Sequence, residues 1–190
     1  MSWKLRDIVL AVIFSVVCGA IYMGWDWLDN LVFGTWSPAL QGIVNGMWWI
    51  ASGLVAYIIR RPGAALFAGF ASAFFEFAFG SPYGTGALIS GLVQGAGAEA
   101  GLMLGGWRHY NAWMMMLSGA AGGVGNTLQW LFQYQGIHYS FSTQMGYFVL
   151  TIISGALLAG LLAKSVADAL YRSGTLNNFA VAKQKRVHGQ

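Results

Sequence analysis

The chain has 190 residues, of which 57% are hydrophobic and only 8% are charged, and its formal net charge is +4. A soluble domain uses about 25% charged residues, so this composition excludes an ordinary water-soluble fold. The apolar residues form long runs separated by short polar breaks, which is typical of an all-α membrane protein.

Six apolar runs predict six transmembrane helices, because about 20 residues are needed to cross the hydrocarbon. In chain order they cover residues 7–25, 41–59, 63–79, 86–106, 112–132 and 145–163. The first run is too long for the apolar part of a signal peptide, so we predict that it is a retained helix. We expect one six-helix domain over residues 1–172 and a short, polar, basic tail over residues 173–190.

The basic residues all fall on one side of these predicted spans. They are Lys4, Arg6, Arg60, Arg61, Arg108 and the residues from Lys164 onward. The loops on the other side, near residues 26–40, 80–85 and 133–144, contain no Lys or Arg. By the positive-inside rule, both termini are predicted to be cytoplasmic. The basic tail residues Lys183, Lys185 and Arg186 then anchor the chain on that side and do not form a nucleic-acid site.

Two carboxylates lie inside predicted spans, and they are candidate functional residues. Glu76 and Glu99 would each cost roughly 2.5–3.5 kcal/mol to insert if they faced lipid, so they are expected to face a cavity or a partner. A cationic ligand, a bound proton or hydrogen-bond donors would have to compensate them. The alternative is that both are hydrogen-bonded structural acids or merely lie at the membrane interface.

Amides and aromatic rings are concentrated in the predicted outer halves of the helices. Gln41, Asn45 and Trp49 are spaced to share one helix face. Some of the aromatic residues fit an interfacial belt, but amides facing lipid would lack hydrogen-bond partners. We therefore predict an outward-facing site for a flat, nitrogen-rich, positively charged ring compound. Its predicted residues are Trp25, Asn45, Trp49, Glu76, Tyr83, Gln94, Glu99, Asn126, Gln129 and Trp130.

Several kinds of chemistry have no motif in this sequence. No glycine-rich loop ends in Gly-Lys-Ser/Thr, so the chain itself is not expected to hydrolyse ATP. His109, His138 and His188 lack metal-ligand spacing, and we predict no metal, no cofactor and no catalytic residue. The lone cysteine, Cys18, lies in an apolar run and is predicted to pack there.

Small residues suggest where helices come close together. Glycine clusters at residues 95–106 and 119–125 predict close packing of the fourth and fifth spans. In the first span, Ala11, Ser15 and Gly19 form a small-residue stripe that suits either internal packing or a partner helix.

A chain of six spans and fewer than two hundred residues, with this stripe on its first span, resembles the substrate-binding S component of an energy-coupling-factor (ECF) vitamin transporter. Residues 76–84, Glu-Phe-Ala-Phe-Gly-Ser-Pro-Tyr-Gly, and residues 94–99, Gln-Gly-Ala-Gly-Ala-Glu, are more specific. They resemble the YkoE type, which is linked to thiamine or its hydroxymethylpyrimidine (HMP) precursor.

This resemblance implies a prokaryotic plasma-membrane protein with an outward-facing site. It implies docking through Ala11, Ser15 and Gly19 onto a transmembrane coupling subunit, and two cytoplasmic ATPase subunits that drive transport by toppling the S component. Glu76 or Glu99 would face the thiazolium or the pyrimidine amine. If Glu99 takes part, residues 80–90 must be partly extended, because the helix would otherwise carry it too deep; if not, Glu99 belongs to a separate structural network.

Gln94 and Asn126 would hydrogen-bond the pyrimidine in such a site, between Trp and Tyr rings. Two other functions remain compatible with the residues. One is a ligand-free membrane scaffold that uses its glycine faces for assembly. The other is a small proton-coupled transporter or channel in which Glu76 and Glu99 carry protons.

Overall fold

The computed structural model describes residues 3–182, and this part of the chain is helical with no β-strand. Short 3-10 turns at Phe33–Thr35, Asn45–Trp49 and Gly136–His138 and a π-helical stretch at Gly155–Leu162 interrupt the α-helices. The α-helices are α1 (Leu5–Leu31), α2 (Pro38–Gln41), α3 (Ile50–Ile59), α4 (Ala64–Ala78), α5 (Thr85–Leu104), α6 (Ala112–Gln133), α7 (Phe141–Ser154) and α8 (Ala163–Arg172).

Three helical stretches in the described residues are long and apolar enough to cross a membrane: Leu5–Thr35, Thr85–Leu104 and Phe141–Arg172. Asn45–Ile59 and Ala64–Ala78 are apolar but shorter. The helical class is therefore as predicted, and six helical stretches overlap the six predicted spans. The number of crossings and the sides of the termini remain predictions.

The predicted polar tail lies only partly within the described residues. Its first part is packed against the helices, since Leu176 and Val181 are buried. Lys183, Lys185, Arg186 and His188 lie outside the described residues.

Helix α3 lies at the centre of the protein, and all ten of its residues are buried. Helices α1, α4, α6 and α8 and the π-helical stretch surround it. Because its residues are almost all apolar, the middle of the molecule is filled with close-packed side chains.

Glycines allow the surrounding helices to approach very closely, as predicted for the glycine clusters. A Cβ added at Gly119 would collide with the carbonyl oxygen of Gly155, and a Cβ at Gly97 would collide with that of Ala121. Such contacts are typical of small-residue interfaces between membrane helices.

Helix α1 continues beyond its predicted end at Trp25 and carries Asp26 and Asp29, which were predicted to lie in a loop. No Gly or Pro interrupts residues 25–33, so the chain has no local reason to stop being helical there. Asp26 is completely buried, and Trp48 and Ser81 donate hydrogen bonds that satisfy its carboxylate there.

The prediction of one continuous second span over residues 41–59 is wrong. Helix α2 ends at Gln41, and a 3-10 stretch precedes α3. A Cβ at Gly42 would lie 2.9 Å from the Cβ of Leu150, so the glycine permits close contact with α7. With about three residues per 3-10 turn, Gln41, Asn45 and Trp49 no longer share one face.

The small-residue stripe of α1 faces the interior of the protein. Ala11 and Ser15 are fully buried, and a Cβ at Gly19 would lie 2.7 Å from the Cβ of Phe75 in α4. Helix α4 covers this stripe, so the structure shows it in internal packing, one of the two uses that the sequence allowed. Docking onto a coupling subunit through Ala11, Ser15 and Gly19 stays a prediction. The exposed face of α1 carries larger apolar residues, among them Ile13 and Val17.

Candidate functional site

A cavity opens at the end of the helices opposite the turns that hold Arg60, Arg61 and Arg108. It contains about 840 Å³ of space free of protein atoms, counting its open mouth. The lining residues come from α1, α2, the Asn45–Trp49 stretch, α4, the 80–84 loop, α5, α6 and α7. They are Asp29, Gln41, Asn45, Trp48, Ala73, Glu76, Tyr83, Ala87, Ser90, Gly91, Gln94, Asn126, Gln129, Trp130, Tyr134 and Tyr147.

The structure brings most of the predicted site residues together in this cavity. The lining includes Asn45, Glu76, Tyr83, Gln94, Asn126, Gln129 and Trp130. Three other predicted residues lie elsewhere: Trp25, Trp49 and Glu99.

One wall of the cavity is acidic and is held together by a serine. The indole Nε1 of Trp48 donates to Asp26 Oδ1 at 2.7 Å, and Ser81 Oγ donates to Asp26 Oδ2 at 2.5 Å. Ser81 Oγ also lies 3.3 Å from Oε1 of Glu76, which lines the cavity. Asp26 itself lies behind this wall and is 0% exposed.

A second carboxylate, Asp29, lines the cavity one helical turn beyond Asp26. The hydroxyl of Tyr83 donates to Asp29 Oδ2 at 2.5 Å, which ties the 80–84 loop to α1. No Lys, Arg or His is among the lining residues. Within residues 3–182, neither Glu76 nor Asp29 is part of a salt bridge. The cavity is therefore suited to a cation or to a ligand rich in hydrogen-bond donors.

Amide side chains form another part of the lining. Gln94 Nε2 donates to Asn126 Oδ1 at 2.8 Å, and Asn126 Nδ2 donates to the hydroxyl of Tyr147 at 3.0 Å. Gln94 comes from α5, Asn126 from α6 and Tyr147 from α7, so these bonds fix three helices relative to one another. The amides are thus held in a defined orientation beside the cavity.

Aromatic rings complete the lining. Trp130 stacks on Tyr147 with ring centroids 4.0 Å apart and planes 15° apart, and it also stacks on Tyr139 at 5.7 Å. Tyr134 meets Tyr83 edge to face at 6.4 Å. Rings in such stacks lose little further freedom when a ligand binds, so this wall is preorganised.

Glu99 lies outside the cavity, where it caps the beginning of α4. It accepts hydrogen bonds from the backbone nitrogens of Gly63 at 2.6 Å and Ala65 at 2.9 Å, and from Trp107 Nε1 at 2.6 Å. Helix α5 carries Glu99 about 7.5 Å beyond Gln94, away from the cavity mouth. Glu99 is therefore not among the residues that line the cavity, and its contacts match the alternative of a separate structural network.

The two predicted tryptophans outside the cavity have structural contacts. Trp49 is fully buried, and its Nε1 donates to the carbonyl oxygen of Gly119 at 2.9 Å. Trp25 packs against Phe33 with ring centroids 5.3 Å apart. Trp48 takes the cavity position that the helical spacing assigned to Trp49.

Sequence reasoning left six polar or aromatic lining residues out of the predicted site: Asp29, Gln41, Trp48, Ser90, Tyr134 and Tyr147. A signal was present for two of them. Asp29 would have been found by extending the first helix through residues 25–33, which contain no helix breaker. Tyr134 lies directly after α6 and follows Asn126 and Trp130 at intervals of four, which puts it in line with one face of that helix.

Comparisons with known proteins agree with this fold and cavity. Residues 6–125 match a family described as the permease component of an ABC-type cobalt transport system. The chain is 37% identical over 183 residues to the provisionally named HMP/thiamine permease protein YkoE of Bacillus subtilis (strain 168), and the match covers 96% of this chain and 92% of YkoE. A crystal structure of an ECF-transporter S component is 36% identical, with a TM-score of 0.95 over 98% of this chain and 95% of that one.

Together, the helical fold and these matches define the class of protein: an S component of an ECF transporter, located as a multi-pass protein in a prokaryotic plasma membrane. Within that class, the chain belongs to the YkoE family, as the motifs at residues 76–84 and 94–99 indicated. Its homologues are transporter subunits and not enzymes.

Proposed function

We propose that this chain captures thiamine or its HMP precursor outside the cell, as the substrate-binding subunit of an ATP-driven importer. A transmembrane coupling subunit and two separate ATPase subunits would complete the importer and hydrolyse the ATP. The observation that carries the proposal is the convergence of acidic, amide and aromatic side chains on one cavity.

The chemistry of both ligands matches the cavity walls. Each contains an aminopyrimidine, a flat ring with nitrogen acceptors and an exocyclic amino donor. The Gln94 and Asn126 amides can hydrogen-bond such a ring, and the faces of Trp48 and Tyr134 offer surfaces for stacking. Thiamine also carries a thiazolium charge, for which Asp29 is the half-buried carboxylate at the cavity.

The direction of capture follows from the charge distribution. The cavity and the basic turns lie at opposite ends of the helices, and basic turns are retained on the cytoplasmic side. We therefore propose that the mouth faces outward and that six helical stretches cross the bilayer with both termini inside.

Ligand titration of the detergent-purified chain tests this function. Thiamine and HMP should each quench tryptophan fluorescence saturably at micromolar concentration, because Trp48 and Trp130 line the cavity. Biotin, which lacks an aminopyrimidine, is the control ligand. If neither thiamine nor HMP produces saturable quenching, the ligand-free scaffold becomes the better description.

Replacing Asn126 provides a site-specific prediction. Asn126→Ala should weaken thiamine and HMP binding by roughly 1–3 kcal/mol, because it leaves Gln94 and Tyr147 without their partner beside the ligand. Asn111→Ala is the matched control, since Asn111 caps the opposite end of the same helix. Equal affinities for the two variants would remove Asn126 from the site.

The proton-carrier alternative finds no comparable support in the described residues. Glu76 and Glu99 belong to two separate hydrogen-bond networks, one at the cavity and one at the beginning of α4. A proton pathway through Glu76 and Glu99 would need further proton-carrying groups between the two networks.

A further inference from the structure

Asp26 has the most completely buried of the carboxyl groups near the cavity, and the proposed function gives it no role. It is 0% exposed and does not line the cavity, yet it connects two residues that do. Trp48 is bonded to it directly, and Glu76 is linked to it through the hydroxyl of Ser81. Any effect of Asp26 on a ligand must therefore act through these neighbours.

The hydrogen atoms around Ser81 can be counted. A serine hydroxyl has one proton to donate. At 2.5 Å from Asp26 Oδ2 and 3.3 Å from Glu76 Oε1, the Ser81 oxygen gives that proton to Asp26. Ser81 Oγ also accepts a hydrogen bond from the backbone nitrogen of Tyr83, and its single proton cannot be given fully to both carboxyl groups. A proton on Glu76 itself would relieve this shortage of donors.

The charges around the two carboxyl groups lead to the same conclusion. The titratable groups facing them are Tyr22 and Asp29 from α1, Tyr83 from the 80–84 loop and Tyr134, directly after α6. None of these groups is a cation. Two ionised carboxylates side by side, away from water and without a cation, would repel each other strongly. Asp26, which accepts two hydrogen bonds, is the one equipped to hold the negative charge.

We propose that Asp26 is a positioning residue that keeps Glu76 protonated, so that Glu76 presents a neutral carboxylic acid to the ligand. A carboxylic acid offers one O–H donor next to one carbonyl acceptor. The complementary ligand edge has a ring nitrogen beside an amino group, which is the edge of an aminopyrimidine. This inference rests on the proposed function and specifies the part of the ligand to which Glu76 hydrogen-bonds. Asp29 remains available to bind a positively charged group of the ligand.

Infrared spectroscopy of the ligand-free protein tests the protonation state without any ligand. At neutral pH, the wild type should show a carboxylic-acid C=O band that is lost in Glu76→Gln. In Asp26→Asn, the band should disappear at a pH lower by at least about one unit, because the neighbouring negative charge is gone. Asp7→Asn, a change of the same kind at the opposite end of α1, should leave the band unchanged.

Binding of HMP, which has no permanent charge, provides the second test. Its affinity should fall about tenfold per pH unit once Glu76 loses its proton. Asp26→Asn should shift this fall to lower pH. Glu76→Gln should bind HMP with little dependence on pH, because glutamine also offers a donor beside an acceptor, and Glu76→Ala should lose most of the affinity.

The outcomes separate this inference from the proposed function. A missing carboxylic-acid band, or HMP affinity that rises as Glu76 ionises, overturns the inference even if thiamine and HMP bind. An unchanged pH profile in Asp26→Asn would reduce Asp26 to a structural role. If neither ligand binds but the carboxylic-acid band changes as expected in the variants, the protonation of Glu76 is supported. Ligand recognition by Glu76 is then rejected together with the proposed function.

Discussion

Buried polar side chains in this protein act mainly as links between helices. Asp26 joins α1 to the Asn45–Trp49 stretch through Trp48 and to the 80–84 loop through Ser81. The Gln94–Asn126 bond joins α5 to α6. Removing one partner of such a pair leaves a buried group unsatisfied, which costs about 1–3 kcal/mol. Loss of stability and loss of binding must therefore be measured separately for each variant.

Glu99 allows these two effects to be separated. Glu99→Gln should lower the free energy of unfolding by roughly 1–3 kcal/mol, because an amide nitrogen would face backbone N–H donors at the beginning of α4. Thiamine affinity should stay within about twofold of the wild type, since Glu99 does not line the cavity. Thermal unfolding and fluorescence titration measure the two quantities. A tenfold loss of affinity with normal stability would return Glu99 to the binding site.

At the scale of the helices, the sequence predicted the type of each segment more accurately than the residue at which the segment ends. Apolar runs and glycine clusters located six helical stretches and their close contacts. They could not show that α1 extends to Leu31, because Asp26 and Asp29 look like loop residues until Trp48, Ser81 and Tyr83 are known to bind them.

The predicted cavity depended on the same kind of information. Residue type and helical spacing found Glu76, Gln94 and Asn126, because their polar groups are costly inside a membrane helix. Spacing assigned Trp49 where the structure has Trp48, since the change to 3-10 geometry before α3 depends on contact with α7. The depth of Glu99 could not be obtained without knowing where α5 begins.

Glycine contacts between helices give a prediction at this scale. Gly119→Ala should destabilise the protein by roughly 1–3 kcal/mol, because the added methyl group would collide with the Gly155 carbonyl in the π-helical stretch. Gly24→Ala is the control, since its Cβ would meet nothing within 4 Å and alanine favours the helix. Thermal unfolding compares the two variants. Equal destabilisation would mean that this contact does not limit the packing.

For the whole molecule, the orientation in the membrane can be tested with the single native cysteine. Cys18 is buried, so the unmodified chain should react little with an impermeant maleimide. Ser142→Cys, exposed at the cavity end, should be labelled on intact cells. Ser173→Cys, exposed at the other end, should be labelled only after the membrane is opened. The reverse pattern would invert the proposed orientation.

The buried position of α3 restricts how a molecule held in the cavity can reach the cell interior. Every residue of Ile50–Ile59 is buried, so a ligand moving along the helix axes would have to displace these close-packed side chains. The cavity is thus closed at its base by packed side chains and does not continue as a channel. If separate ATPase subunits drive import, as proposed above, they would have to turn the helices around the cavity as one body within the bilayer instead of opening a path along α3.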